Sequence, residues 1–141
     1  MRYQFEHCLE KGKIVKIEIA PDLISKEMDE AKKDLDSCER SLKENNFKWA
    51  IIQAYYSMFH SLRALIFSKG YREKSHTCIK YAIESLFVDT GTLDKQLLQD
   101  FSYAMKVREG ADYGSVYSED SAIELRDSAS RIYEVSKKLI S

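Results

Sequence analysis

The sequence predicts an all-α fold, namely an up-and-down antiparallel bundle of four or five helices. The chain has only 5 glycines and 1 proline in 141 residues, too few for the turns of a β-sandwich or a barrel. Its apolar residues recur at helical spacing over long stretches. A content of 44% hydrophobic and 32% charged residues is typical of a folded chain. We therefore expect one helical domain over residues 1–141.

Residues 1–20 form a weakly patterned N-terminal arm. The stretch from Tyr3 to Lys11 favours a short helix ending near Gly12. The alternating segment Ile14 to Ile19 is typical of an extended arm or of a helical turn, and the pattern does not separate the two.

The first long helix is predicted to begin at Pro21 and to end at Asn45-Asn46. Its apolar positions recur in steps of three and four, which places them on one stripe. That stripe holds Ile24, Met28, Ala31, Leu35, Cys38 and Leu42. The charged residues between them, Glu27 included, are expected to face solvent.

The second long helix, from about Phe47 to Ser68, carries two neighbouring apolar stripes. One holds Ile51, Tyr55, Met58, Leu62 and Leu65, and the other holds Ile52, Tyr56, Phe59 and Ile66. A helix that is apolar over so much of its surface has to be covered on several sides. It is therefore the central helix of the bundle, or it faces a dimer partner. Gly70 suits the left-handed position that ends such a helix.

Three further helices complete the predicted bundle. Ser75 is expected to cap a helix over about residues 76–88, and a fourth helix runs from about Leu93 to near Gly110. Ser118, followed by acidic residues in the first turn, opens the last helix.

Composition excludes several classes of function. The chain has 22 basic and 23 acidic residues, so its net charge is −1, and only a local patch is basic enough to bind a polyanion. No run reaches the roughly 18 apolar residues of a membrane span, and the first residues lack the core of a signal peptide. Cys8, Cys38 and Cys78 suggest neither a CxxC pair nor a disulfide framework, so we expect a reducing cytoplasm. No spacing of metal ligands and no glycine-rich nucleotide loop is present, so no metal and no cofactor are expected.

Three groups of polar residues break the helical pattern. The first is Tyr56, His60 and Arg63, which share one face of the central helix. An inward guanidinium needs a counter-charge, so we expect a carboxylate from another helix beside Arg63. The group then serves either as a buried ion pair or as a ligand-facing surface.

The second group is the loop before the third helix, with Arg72, Lys74, Ser75 and His76. Four cations and a single carboxylate lie between Lys69 and Lys80. The loop leads into a helix N-terminus, where free backbone N–H groups favour an anion. The loop is therefore a candidate phosphate site, and the alternative is a solvated basic loop in which Ser75 is a simple cap.

The third group is Arg108, Asp112 and Tyr113. Arg108 continues the inner face of the fourth helix, and Asp112 lies one turn further on. Gly110 destabilises a helix interior by about 1 kcal/mol relative to alanine, so a break there is expected. An anion-binding site and a structural ion pair both fit this group.

In this order and spacing, the three groups resemble the HEPN superfamily (higher eukaryotes and prokaryotes nucleotide-binding), in particular its small, stand-alone prokaryotic branch. The resemblance runs from about Ile19 to the C-terminus. It is carried by Gln53 to His60 with Arg63-Ala64-Leu65, by Ser68-Lys69-Gly70 with Lys74-Ser75-His76, and by Arg108 to Tyr113. It implies a helical bundle that forms a homodimer.

The resemblance also implies a site. Many HEPN proteins are metal-independent ribonucleases with an arginine followed, after four to six residues, by a histidine. In this chain Arg108 matches the arginine, but Tyr113 stands where the histidine belongs, and no histidine follows His76. A tyrosine is a poor base at neutral pH, so catalytic residues stay unassigned. One route back to catalysis is an approach of His60 to Arg108 inside the bundle.

The favoured function is a nucleotide- or RNA-binding module with little or no catalytic activity. By the same resemblance, its partner is a small nucleotidyltransferase in a toxin–antitoxin-like pair, and Tyr113 matches a tyrosine that accepts AMP in some relatives. Two alternatives stay open: a ribonuclease toxin with an altered site, and a purely structural interaction domain.

Overall fold

The computed structural model describes residues 2–141; Met1, the first residue of the predicted N-terminal arm, lies outside the described residues. The described chain folds into six α-helices and one two-stranded sheet. The elements are α1 (Tyr3–Glu10), β1 (Ile14–Lys16), α2 (Pro21–Lys43), α3 (Phe47–Ser68), β2 (Tyr71–Glu73), α4 (His76–Ile83), α5 (Lys95–Tyr113) and α6 (Glu119–Ile140). The predicted all-α bundle is confirmed. No helix in residues 2–141 has both the length and the apolar character needed to cross a membrane.

The bundle is built around α3, which packs against α2, α4, α5 and α6. Fourteen of its 22 residues are buried. The predicted bounds of this helix and its central position are both confirmed. An apolar surface that extends around most of the helix accounts for the position, because each neighbour covers a different side.

Local capping explains where two of the outer helices begin. The Ser118 hydroxyl accepts a hydrogen bond of 3.1 Å from the Ser121 amide at the start of α6, as expected. The Asp94 carboxylate accepts one of 2.8 Å from the Gln96 amide, and α5 begins at Lys95 instead of the predicted Leu93.

The predicted end of α5 near Gly110 is wrong, because the helix continues to Tyr113. Ala111 is fully buried in the core, and its packing offsets the weak helix preference of glycine. The backbone carbonyl of Gly110 then accepts the amides of Gly114 and Val116, which closes the helix end.

The third predicted helix is divided into two parts. It is α-helical as α4 and then forms a π-helical turn over Glu84–Val88. Ser75 stands at its N-cap, but no side-chain capping hydrogen bond is formed.

The N-terminal arm forms a sheet with the loop before α4. β1 pairs with β2 in antiparallel register, with Ile14 opposite Glu73 and Lys16 opposite Tyr71. Ile14 is almost completely buried. The extended conformation was one of the two expected for this arm, whereas its pairing partner was not predicted. The pairing fixes the backbone of the basic loop.

The prediction that the cysteines form no disulfide is wrong. Cys8 of α1 and Cys78 of α4 form a disulfide, with Cα atoms 6.1 Å apart. Cys38 is the free cysteine and is buried in α2. The cysteines therefore give no support to a reducing compartment.

A buried ionic network joins α2, α3 and β2. Arg63 of α3 contacts Glu27 through Nη1 and Glu73 through Nε, each at 2.9 Å. His60 Nδ1 lies 2.7 Å from the other Glu27 oxygen. The carboxylate partner expected for Arg63 is thus Glu27 of α2. The expectation that Glu27 faces solvent is wrong, because it turns inward to these two groups and is only 7% exposed.

The pKa values of the two carboxyl groups in this network are shifted in opposite directions. Burial favours the neutral form of Glu27, but the hydrogen bond to His60 and the charge of Arg63 outweigh it, so its pKa is lowered. For Glu73 burial is the stronger influence, and its pKa is raised despite Arg63.

We expect Glu27→Gln to destabilise the protein at neutral pH by about 2–3 kcal/mol, because it leaves Arg63 and His60 without this counter-charge. A carboxyl group with a lowered folded-state pKa stabilises the fold above its unfolded pKa, near 4.5, and loses that contribution as the pH falls through the folded value. The difference between variant and wild type should therefore shrink in acid. Urea unfolding at neutral and acidic pH measures it.

The matched control is Asp29→Asn, which removes the same charge from an exposed position of the same helix. Equal stability of the two variants at neutral pH would show that the network contributes nothing.

Candidate phosphate-binding site

Basic side chains from four elements meet near the start of α4. They are Arg63 from α3, Arg72 from β2, Lys74 and His76 from the turn and first residue that follow, and Arg108 from α5. We call these five residues the basic cluster. An open depression of about 680 Å³ is lined by all of them except Arg108, together with Phe59 and Glu73.

His76 is held by two aromatic residues of α3. Its Nδ1 lies 3.0 Å from the hydroxyl of Tyr55, and its ring lies 4.4 Å from the ring of Phe59. Burial raises the pKa of Tyr55 to about 12, so its hydroxyl stays protonated and either donates to or accepts from the imidazole. These contacts orient the ring. The bond to Tyr55 uses Nδ1, so Nε2 is not engaged by Tyr55.

The pKa of His76 is lowered, first by its partial burial and then by the charges of Arg108 and Arg63. The imidazole is therefore neutral at neutral pH. A neutral histidine between two guanidinium groups can accept a proton when an anion binds.

Arg108 lies inward from α5, with a side chain that is only 15% exposed. Its guanidinium carbon is 5.0 Å from the centre of the Tyr55 ring and 5.7 Å from that of Tyr56. Because α5 continues past Gly110, Nη1 reaches the Asp112 carboxylate at 3.3 Å. The Nε atom is buried and has no hydrogen-bond partner among residues 2–141. A planar donor held on aromatic rings with one N–H unused is suited to an additional acceptor.

The cations of the basic cluster are not equally available to a ligand. Arg63 is neutralised by Glu27 and Glu73. Arg72 and Lys74 are exposed, and in the part of the chain that the structure describes neither has a carboxylate within ion-pair distance. Arg72 instead lies over the ring of Phe67 at 5.8 Å. The positive charge that faces solvent therefore comes mainly from these two side chains.

The structure places Tyr113 beside the cluster, 80% exposed at the end of α5 and within interaction distance of the Arg108 guanidinium. It separates two other predicted site residues from the cluster. Ser75 lines a different depression, between α1 and α4. His60 has both ring nitrogens turned towards α2, Nδ1 to Glu27 and Nε2 to Asp34 at 3.7 Å. The approach of His60 to Arg108, which the sequence leaves open as one route to catalysis, is not seen.

No local sequence signal points to the role of Tyr55, which connects His76 with Arg108. A tyrosine fits an apolar stripe, so the helical pattern assigns Tyr55 to the core. The usable signal is chemical: a fully buried tyrosine needs a hydrogen-bond partner for its hydroxyl. On a helix covered on all sides, that partner has to come from another element.

The arrangement can bind phosphate by three complementary groups. Arg108 offers a planar set of donors, Arg72 and Lys74 offer exposed charge, and His76 offers a ring nitrogen that takes up a proton. Within residues 2–141 no group of three or more His, Cys, Asp and Glu side chains is placed to hold a metal ion.

Three relatives show what this chain is similar to. A Methanocaldococcus jannaschii protein named "Putative toxin MJ0142" is 28% identical over 103 residues, which cover 73% of this chain and 66% of that protein. A Thermotoga maritima UPF0332 protein is 27% identical over 112 residues, 78% of this chain and 85% of the relative. The UPF0332 protein PH1297 of Pyrococcus horikoshii is 28% identical over 75 residues, 53% of each chain. The chain thus spans just under two thirds of the first relative.

The family model for the HEPN domain matches residues 24–139. This region includes α2 to α6 almost completely and with them every member of the basic cluster, whereas α1 and β1 precede it. On this match over most of its length, the chain belongs to the HEPN domain family.

Proposed function

We propose that this protein is a HEPN module that binds the phosphates of a nucleotide or of RNA through the basic cluster, with little or no catalytic activity. One observation carries the proposal: Arg108 is held on two tyrosine rings, next to a neutral His76, with its Nε unpaired. A buried guanidinium that only partly satisfies its donors favours an anionic ligand. Arg72 and Lys74 supply the electrostatic attraction at the surface.

The name of the M. jannaschii relative supports a place in a toxin–antitoxin-like pair. In this proposal the partner chain is a small nucleotidyltransferase, and the protein acts as a homodimer in the cytoplasm, where RNA is found. Tyr113 is exposed five residues after Arg108, so its hydroxyl is accessible for the transfer of AMP. Light scattering tests the dimer. Incubation with a small nucleotidyltransferase and ATP, followed by mass analysis of Tyr113→Phe against wild type, tests the transfer.

We expect the double variant Arg72→Gln/Lys74→Gln to bind a short fluorescent single-stranded RNA about 10-fold more weakly than wild type. Each lost phosphate contact also lowers the slope of log affinity against log salt by about 0.7, so the slope should fall by about 1.4. Fluorescence polarisation between about 50 and about 200 mM salt measures both quantities.

The matched control is Arg40→Gln/Lys43→Gln, which removes the same two charges from exposed positions at the far end of α2. An equal loss of RNA affinity in the two double variants would show that the effect comes from the overall charge of the protein and not from this site. Absence of binding by wild type at low salt would contradict the RNA proposal itself.

The affinity for RNA should rise as the pH falls through the range in which His76 takes up a proton. The lowered pKa of His76 leaves it neutral in the free protein, and a bound phosphate beside Arg108 and Arg63 favours the protonated ring. Polarisation titrations between about pH 5 and about pH 8 should show this rise, and His76→Gln should flatten it. An unchanged pH profile in the variant would remove His76 from the site.

A second candidate function, a ribonuclease with an altered site, is favoured by the link from His76 through Tyr55 to Arg108. In such a reaction His76 takes the 2′-OH proton while Nδ1 donates to Tyr55, and Arg108 stabilises the charge that develops on phosphorus. The histidine then comes from α4 and not from the end of the arginine's own helix.

If this second function holds, purified protein cleaves RNA in the presence of a metal chelator, and both His76→Ala and Arg108→Ala reduce the rate by at least about 100-fold. Gel analysis of tRNA and mRNA fragments measures the rate. Cleavage that survives Arg108→Ala would come from a contaminant or from another site.

A further inference from the structure

The disulfide between Cys8 and Cys78 connects the N-terminal arm to the candidate site. The two residues are 70 positions apart, and each is only 4% exposed. Cys8 lies in α1, before the region that the family model matches, whereas Cys78 lies inside it. The bond therefore joins an addition preceding the matched domain to the helix that begins with His76.

A depression of about 330 Å³ lies between α1 and the first turn of α4 and is lined by both cysteines. His7, Lys13 and Thr77 are also on its wall. It is large enough for a small thiol to reach the sulfur atoms, and the Lys13 ammonium favours an incoming thiolate.

The two sulfur atoms are not equivalent. Cys78 is the third residue of α4, where the positive end of the helix stabilises a thiolate. It is therefore the better leaving group, and Cys8 is the sulfur that an incoming thiolate attacks.

In addition to the disulfide, hydrogen bonds and an aromatic contact connect the N-terminal arm to the basic loop. The Lys74 amide donates to the Lys13 carbonyl at 2.7 Å, and the Ile17 amide donates to the Gly70 carbonyl at 2.9 Å. The ring of Phe5 in α1 packs edge-on against Tyr71 of β2. Any loosening of α1 is therefore expected to loosen the backbone at Arg72, at Lys74 and at the start of α4 as well.

We propose that Cys8–Cys78 is a reversible thiol-exchange site, and that its reduction by a small thiol loosens the basic loop and weakens phosphate binding there. The effect on binding rests on the proposed function, whereas the exchange and the loosening do not. A thiolate attacks Cys8 Sγ, forms a mixed disulfide and releases the Cys78 thiolate. A second thiolate then attacks the small-molecule sulfur and releases the Cys8 thiolate. Two electrons pass to the protein, both cysteine thiolates take up protons, and the small molecule leaves as its disulfide.

Cys38 takes no part in this exchange. It is completely buried in α2, and burial raises the pKa of its thiol to about 12. Cys38→Ala is therefore a matched control that removes a cysteine without touching the proposed site.

The experiment equilibrates the full-length protein in glutathione buffers of increasing reducing strength. Alkylation in denaturant followed by mass analysis should show one reactive thiol when oxidised and three when reduced, with Cys8 and Cys78 changing together. Amide hydrogen exchange should become at least about 10-fold faster over residues 13–17 and 71–78 on reduction. The affinity for the fluorescent RNA should fall by at least about 3-fold. Cys38→Ala should show no reactive thiol when oxidised and two when reduced, with the same changes in amide exchange and RNA affinity as wild type. Cys8→Ser should match reduced wild type in amide exchange and RNA affinity in every buffer.

Two results would overturn the proposal: three free thiols in excess oxidised glutathione, or equal amide exchange over residues 71–78 in the two states. Both use wild type alone, so they hold even if Cys8→Ser does not fold. If RNA binds in neither state while amide exchange responds to reduction, the proposed function fails and the thiol-exchange site stands.

Discussion

The structure depends on one constraint: α3 is surrounded by other elements, so its buried polar groups draw on partners inside the protein. Among the described residues, the Ser61 hydroxyl is the exception on this helix. The hydroxyl of Tyr55 meets His76, Arg63 meets Glu27 and Glu73, and the Ser57 hydroxyl donates to the Ala31 carbonyl at 2.8 Å. These partners belong to α2, β2 and α4. The bonds that satisfy the central helix are therefore also the ones that place the basic cluster.

Much of the fold could be predicted from the sequence because its signals are local. The two apolar stripes of α3 and the residues that open its neighbours, Pro21 and Ser118, act within a few positions. The remaining features depend on distant residues. Glu27 has the spacing of a surface residue on α2, and its inward position depends on His60 and Arg63 of another helix. Likewise, the disulfide and the β1–β2 ladder require knowledge of where α1 packs.

The sequence predicts individual residues of the candidate site but not that they lie together. Arg108 and the loop from Arg72 to His76 interrupt helical patterns and were identified for that reason, but nothing local shows that they lie together. Their meeting point, Tyr55, was hidden because a tyrosine fits an apolar stripe. In the motif that the sequence resemblance implies, a histidine follows the arginine after four to six residues. Here that position holds the exposed Tyr113, and the nearby imidazole comes from α4. The chemistry of such a site is distributed over the tertiary structure.

The β1–β2 ladder also has a consequence for how the chain is divided. Residues 14–16 precede the family match at 24–139, yet they pair with β2, which lies inside it. A fragment that begins at the family boundary would lack β1 and leave β2 as an unpaired edge strand. The backbone N–H and C=O groups of Tyr71 to Glu73 could then pair with a strand of another molecule. It would also lack Phe5, leaving an apolar hole beside that edge. Such a fragment is prone to self-association, so the boundary of the homologous region is not the boundary of the folding unit.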